Sequence, residues 1–184
     1  MNLILKRLVF LLAILAGGIF IYSYTTGGIF KKPLSPKDTV EIKLNDLKLE
    51  IFYNRPSKRN REVFGGLVAL NQVWRTGANE ATTFETNQSL KIENNYLVAG
   101  KYTIWTIPGS ESWEVIFNSK QYPWGVDDAM QPMRESEFDV ITITVPIQKL
   151  DNPVEQFTIA FDNSTDNLSL TMAWDTTKIV VPLK

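Results

Sequence analysis

Residues 40–53 read VEIKLNDLKLEIFY, and this stretch decides the fold class. Val40, Ile42 and Leu44 alternate with Glu41 and Lys43, and Leu47, Leu49, Ile51 and Tyr53 alternate with Lys48 and Glu50. Side chains on an extended chain point to opposite faces with period two, so each half presents one apolar and one polar face. Asn45-Asp46 between the halves is turn chemistry, and the whole predicts a β-hairpin with one buried side. Asn54-Arg55-Pro56 stops the second strand, because proline has no N–H for the ladder.

The same period continues along the chain. Expected strands follow at 81–86, 90–93, 102–107, 113–117, 138–145, 156–161, 168–174 and 178–182, with Pro108-Gly109-Ser110 as one turn and DNSTDN (162–167) as another. Residues 57–72 read as a loop with one helical turn at most, since Gly65-Gly66 opposes a long helix. Residues 119–136 form a second long loop. About ten short strands and no amphipathic helix predict an all-β fold, an antiparallel β-sandwich or jelly roll, over residues 38–184. Within LVAGKYTI (97–104), a Gly turn followed by Tyr102 fits a strand start whose tyrosine hydroxyl bonds back to nearby backbone.

The N-terminus has a different character. A short tail, residues 1–7, carries Lys6 and Arg7, and the chain is then uncharged from Leu8 to Phe30. A helix of that length spans about 35 Å, enough for a hydrocarbon layer of about 30 Å. Residues 8–30 are expected to be a transmembrane signal anchor. The alternative is a cleaved signal peptide, cut after Ala16-Gly17-Gly18, which leaves an apolar mature end. Residues 31–37 (KKPLSPK) read as a linker. Basic residues flank the span on both sides, so orientation rests on the short N-terminal tail staying in the cytoplasm. That places the domain outside the cytoplasm, in the periplasm or cell envelope.

Composition excludes several chemistries. The chain has no His and no Cys, which removes an imidazole base, a Ser-His-Asp triad, a thiolate nucleophile, a disulfide, zinc sites built on those ligands and iron–sulfur clusters. The formal net charge of −1 gives no field toward nucleic acid. No cofactor and no metal are expected. Asp127-Asp128 and the acids of 162–167 fit turns better than an oxygen-ligated cation loop. The Asn-x-Ser/Thr triplets at Asn87, Asn163 and Asn167 fit a turn-rich chain.

Polar chemistry concentrates in VWRTGANEAT, residues 73–82. Two readings stand. In one, Gly77 reverses the chain, Asn79 bonds its own turn, Trp74 caps the core, and Arg75 ties the loop by pairing with Glu80 or another acid. In the other, Arg75 and Glu80 face a groove, Arg75 gripping a carboxylate or sugar hydroxyls and Glu80 acting as acceptor or base. Arg55, Lys58, Arg59 and Arg61 form a basic patch, either a solvated loop or an anion site. Among the tryptophans, Trp124 in the long loop is the one expected to be exposed, with Trp105 next. Ligand-binding candidates are Arg55, Arg61, Arg75, Asn79, Glu80 and Trp124.

The runs YNRPSKRNREVFGGLVALNQVWRTGANEATTFET (53–86), LVAGKYTIWTIPG (97–109) and WEVIFNSK (113–120), with the late Trp174, resemble a bacterial secreted or membrane-attached family catalogued as domain of unknown function 2911. The likeness covers nearly all of residues 35–184. Asn60 departs from it, standing where the family often has Gly. The resemblance implies a β fold and export, and it implies no activity. Two classes of function stay open. One is a non-catalytic, membrane-anchored module that binds a small polar ligand, a glycan or an envelope protein. The other is a carboxylate-type hydrolase or lyase using Glu80 and Arg75, helped by Tyr53.

Overall fold

The computed structural model describes residues 2–26, 34–164 and 167–184. The chain divides into an N-terminal unit and a folded unit that starts at residue 34. In the first, α1 runs Leu3–Thr26, so the helix takes in Lys6 and Arg7. Its segment Leu3–Thr25 is long and apolar enough to cross a membrane, and none of it is buried in protein. The rest of the expected span (27–30), linker residues 31–33, and Thr165 and Asp166 of the 162–167 turn lie outside the described residues.

The second unit is antiparallel β, with ten strands among the described residues. A six-stranded sheet has the order β1 (Lys37–Leu44), β2 (Leu47–Asn54), β3 (Thr83–Thr86), β6 (Gly100–Pro108), β7 (Ser112–Asn118) and β8 (Asp139–Pro146). β9 (Gln148–Asp162) pairs with β10 (Ser169–Pro182), and β4 (Leu90–Ile92) with β5 (Asn95–Leu97). The opening hairpin forms as its alternation predicts. Leu44 faces Leu47 across the Asn45-Asp46 turn, and Asn45 takes a φ of 52°, which its short polar side chain tolerates.

One face of the large sheet packs against the other strands. Ile51, Phe84, Ile104, Val115 and Ile143 meet Phe157, Ile159, Leu170, Met172 and Ile179 of β9 and β10, with Leu90, Ile92 and Leu97 in the same core. This is a β-sandwich. Fully buried rings such as Phe157 each contribute about 1.5–3 kcal/mol of apolar burial.

Four details differ from the expectations. The segments expected at 168–174 and 178–182 form one strand, β10, because Asp175, at φ 52°, shifts the register of the ladder without ending it. β9 begins at Gln148 rather than 156; its first half is solvent-exposed, so it carries no apolar alternation. β5 has no counterpart in the expected pattern. Trp105 is the clearest correction: it is fully buried, not exposed. It lies on the opposite face of the sheet from the main core, packed with Ala81, Ile116 and Tyr122. The 119–136 loop covers that face, so β6 is buried on both sides.

Tyr102 behaves as LVAGKYTI suggests, donating its hydroxyl to the Val98 carbonyl at 2.8 Å. The turn expectations also hold at two places. Asp127 accepts the Gln131 N–H at 2.8 Å, and Asp162 accepts both the N–H and the hydroxyl of Ser164.

Candidate functional site

VWRTGANEAT is a loop hung from a single strand. Trp74 exchanges both backbone bonds with Thr106 of β6, at 2.7 and 3.0 Å. Thr82 accepts the N–H of Ile104 on the same strand at 2.8 Å. The two anchor points are neighbours along β6, so residues 75–81 bulge out of the sheet. The backbone there is unusual. Thr76 takes a φ of 56° and Asn79 a φ of 55°. For a β-branched residue the left-handed region costs about 1–2 kcal/mol, so the surroundings must impose it. They do: the Thr76 hydroxyl lies 3.1 Å from that of Thr106, and the Thr82 hydroxyl donates to the Thr76 carbonyl at 2.7 Å. Gly77 is required twice over. Its φ is +155°, and a Cβ there would stand 3.0 Å from the Asn54 carbonyl oxygen. Trp74 closes the loop by donating its indole N–H to the Gly77 carbonyl at 3.1 Å.

The acid and the base of this loop have separate fates. Glu80 pairs with Lys37 through one carboxylate oxygen and accepts Asn54 Nδ2 on the other at 3.0 Å. The Lys37 hydrogen bond, then the bonds to backbone and to Asn54, hold its pKa below the usual carboxylate value against the opposing effect of burial. Asn79 reaches Asn54 Oδ1 at 3.4 Å and the Ser35 carbonyl at 3.5 Å. Arg75 makes no hydrogen bond and no ion pair among the described residues, and its Nη1 is buried without a partner. The expected tie between Arg75 and Glu80 is absent. Burial lowers the Arg75 pKa from its ordinary value, yet a guanidinium stays charged at neutral pH.

The Arg75 stem is fixed by the long loop. A Cβ on Gly125, at φ +74°, would stand 3.1 Å from the Cβ of Arg75 and 3.4 Å from that of Ala81. Only a glycine lets the 119–136 loop lie this close. Arg75 lines a cleft of about 660 Å³, together with Arg59, Arg61, Trp74, Trp174 and Leu67. That volume lies in the range of small-molecule sites. Trp74 and Trp174 are stacked, with centroids 6.1 Å apart at 19°. Among the described residues the lining holds three arginines and no acid.

The remaining candidates fall in different places. Arg61 lines the cleft and is braced by the Lys58 and Ser57 carbonyls at 3.0 and 2.8 Å. Arg59 also lines it, donating to the Leu34 carbonyl at 2.9 Å. Arg55 is committed elsewhere: its guanidinium bonds Asp38, the Phe157 carbonyl and the Thr158 hydroxyl, pinning β2 to β9. Tyr53 is buried and exchanges hydrogen bonds with the backbone of Ile159. Lys58 pairs with Asp175. Asn79, Glu80 and Trp124 do not line the cleft, although Trp124 is exposed beside Gly125 as expected. No group of three metal-ligating side chains occurs among the described residues. Leu34 and Met130 belong to the cleft and were not among the candidates; the only signal was apolar residues standing in turn-rich segments.

A protein-family model described as protein of unknown function (DUF2911) matches residues 35–183. No curated protein and no solved structure matches the chain.

Proposed function

The chain belongs to the family of unknown function DUF2911, and we propose that within it this protein is a non-catalytic binding module whose cleft takes a small anionic ligand. In this reading residues 8–30 anchor it in a membrane and the β-sandwich stands outside the cytoplasm. The observation that carries the proposal is Arg75: a half-buried arginine with an unpartnered buried Nη1, lining a cleft that, among the described residues, holds two further arginines and no acid. Burying a cation without a counter-charge is costly, and a carboxylate or phosphate bound in bidentate fashion removes that cost. The braced positions of Arg59 and Arg61 add charge without needing to reorganise.

A hydrolase or lyase built on Glu80 and Arg75 has less support. Glu80 does not line the cleft, and both its oxygens are bonded to Lys37 and Asn54. A general base needs to reach the substrate proton. The test is a thermal shift of the full chain in neutral detergent, with inorganic phosphate or succinate added against chloride at equal ionic strength. A binding module gives a shift in the wild type that is absent from Arg75→Met. Equal shifts in both mean the anions act only through the solvent.

A further inference from the structure

The cleft has a second surface that a small anion leaves unused. Leu34, Leu67 and Met130 line it and are 61%, 40% and 64% exposed. They come from three separate segments: the entry to the folded unit, the turn near Gly65-Gly66, and the 119–136 loop. Single exposed leucines are ordinary, but three converging on the mouth of one cleft form an apolar rim. Behind them Val68 and Trp174 continue the apolar lining into the core.

The position of this rim in the chain matters. Only residues 27–33 separate the end of α1 from Leu34. The hydrogen bond from Arg59 to the Leu34 carbonyl fixes the entering chain at the cleft. Leu34, which lines the cleft, is thus the first residue of the folded unit after the apolar helix in sequence, and an apolar rim beside clustered cations is the pattern that recognises amphiphiles at a bilayer surface.

We propose that the cleft takes a single-chain anionic amphiphile drawn from the membrane that holds α1. The phosphate or carboxylate head lies on Arg75, with Arg59 and Arg61 beside it, and the hydrocarbon chain lies along Leu34, Leu67 and Met130. The inference rests on the anion-site reading above and adds the chain and its source.

The test uses the full chain in phosphatidylcholine nanodiscs doped with a brominated-chain lysophosphatidate. Bromine quenches an indole on contact, and Trp74 and Trp174 line the cleft. A second arm uses the same brominated chain on zwitterionic lysophosphatidylcholine, and a third measures the thermal shift given by inorganic phosphate. The expected result is saturable quenching by lysophosphatidate that exceeds the zwitterionic arm. Half-quenching should need about tenfold more amphiphile or beyond in Arg75→Met, since a charge-assisted bond is lost. Leu67→Ser should weaken the quenching. A phosphate shift with no difference between the brominated arms overturns the amphiphile and keeps the anion site. Loss of both overturns both. Quenching that survives Arg75→Met places the chain outside the cleft and overturns the proposal.

Discussion

Glu80 gives its carboxylate to Lys37, the first residue of β1, and not to Arg75 five positions earlier in its own loop. That pairing closes the loop against the start of the folded unit and leaves Arg75, which lines the cleft, without an acidic partner among the described residues. It also makes a pH prediction. The folded pKa of Glu80 is depressed below 4.5, chiefly by the Lys37 hydrogen bond. A depressed carboxylate contributes stability that is fully present above its unfolded pKa and is lost as pH falls through the folded value. Glu80→Gln should therefore flatten the acid limb of the domain's melting temperature between about pH 3 and 5. The effect is small, because the Lys37 side chain is 63% exposed. An unchanged acid limb contradicts the pairing.

Gly77→Ala should destabilise the domain by about 1–3 kcal/mol, from an unfavourable φ and a Cβ against the Asn54 carbonyl. Chemical unfolding followed by tryptophan emission measures it. A loss below about 0.5 kcal/mol, the size of an ordinary surface change, shows that the loop relaxes freely.

Tyr53→Phe keeps the ring and deletes the hydroxyl that accepts the Ile159 N–H at 3.0 Å. Leaving that buried donor unpartnered should cost about 1–3 kcal/mol. Burial also raises the Tyr53 pKa above 10.0. A raised phenol contributes stability present below the unfolded pKa and lost as pH rises through the folded one, so the variant should show a shallower alkaline decline in melting temperature. Tyr102, raised by burial as well, keeps part of that decline.

The hairpin at 40–53 was readable because burial of one face writes a period of two into the residues. The loop expectation for VWRTGANEAT was readable for the same kind of reason, since Gly77 meets a local backbone need. The partner of Glu80 was not readable. Lys37 is far away in sequence, and any acid pairs with any nearby cation, so only the register of β1 against β2 decides it. Trp105 misled because alternation assumes one wet face, whereas the 119–136 loop covers β6 from outside. The cleft itself was invisible. It is assembled from residues 34, 59, 61, 67, 75, 130 and 174, which share no local pattern, and its rim leucines look like ordinary loop residues until the fold gathers them.

The central claim is that Arg75 serves a ligand and not the fold. The most direct measurement is the unfolding free energy of wild type and Arg75→Met in the full chain, with and without inorganic phosphate. Methionine keeps most of the apolar stem against Gly125 and removes a buried donor that has no partner. The account predicts that the variant is as stable as the wild type, within about 0.5 kcal/mol, or more stable. It also predicts that phosphate stabilises only the wild type. A loss of about 2 kcal/mol or more with an unchanged phosphate response contradicts it, and assigns Arg75 to holding the loop.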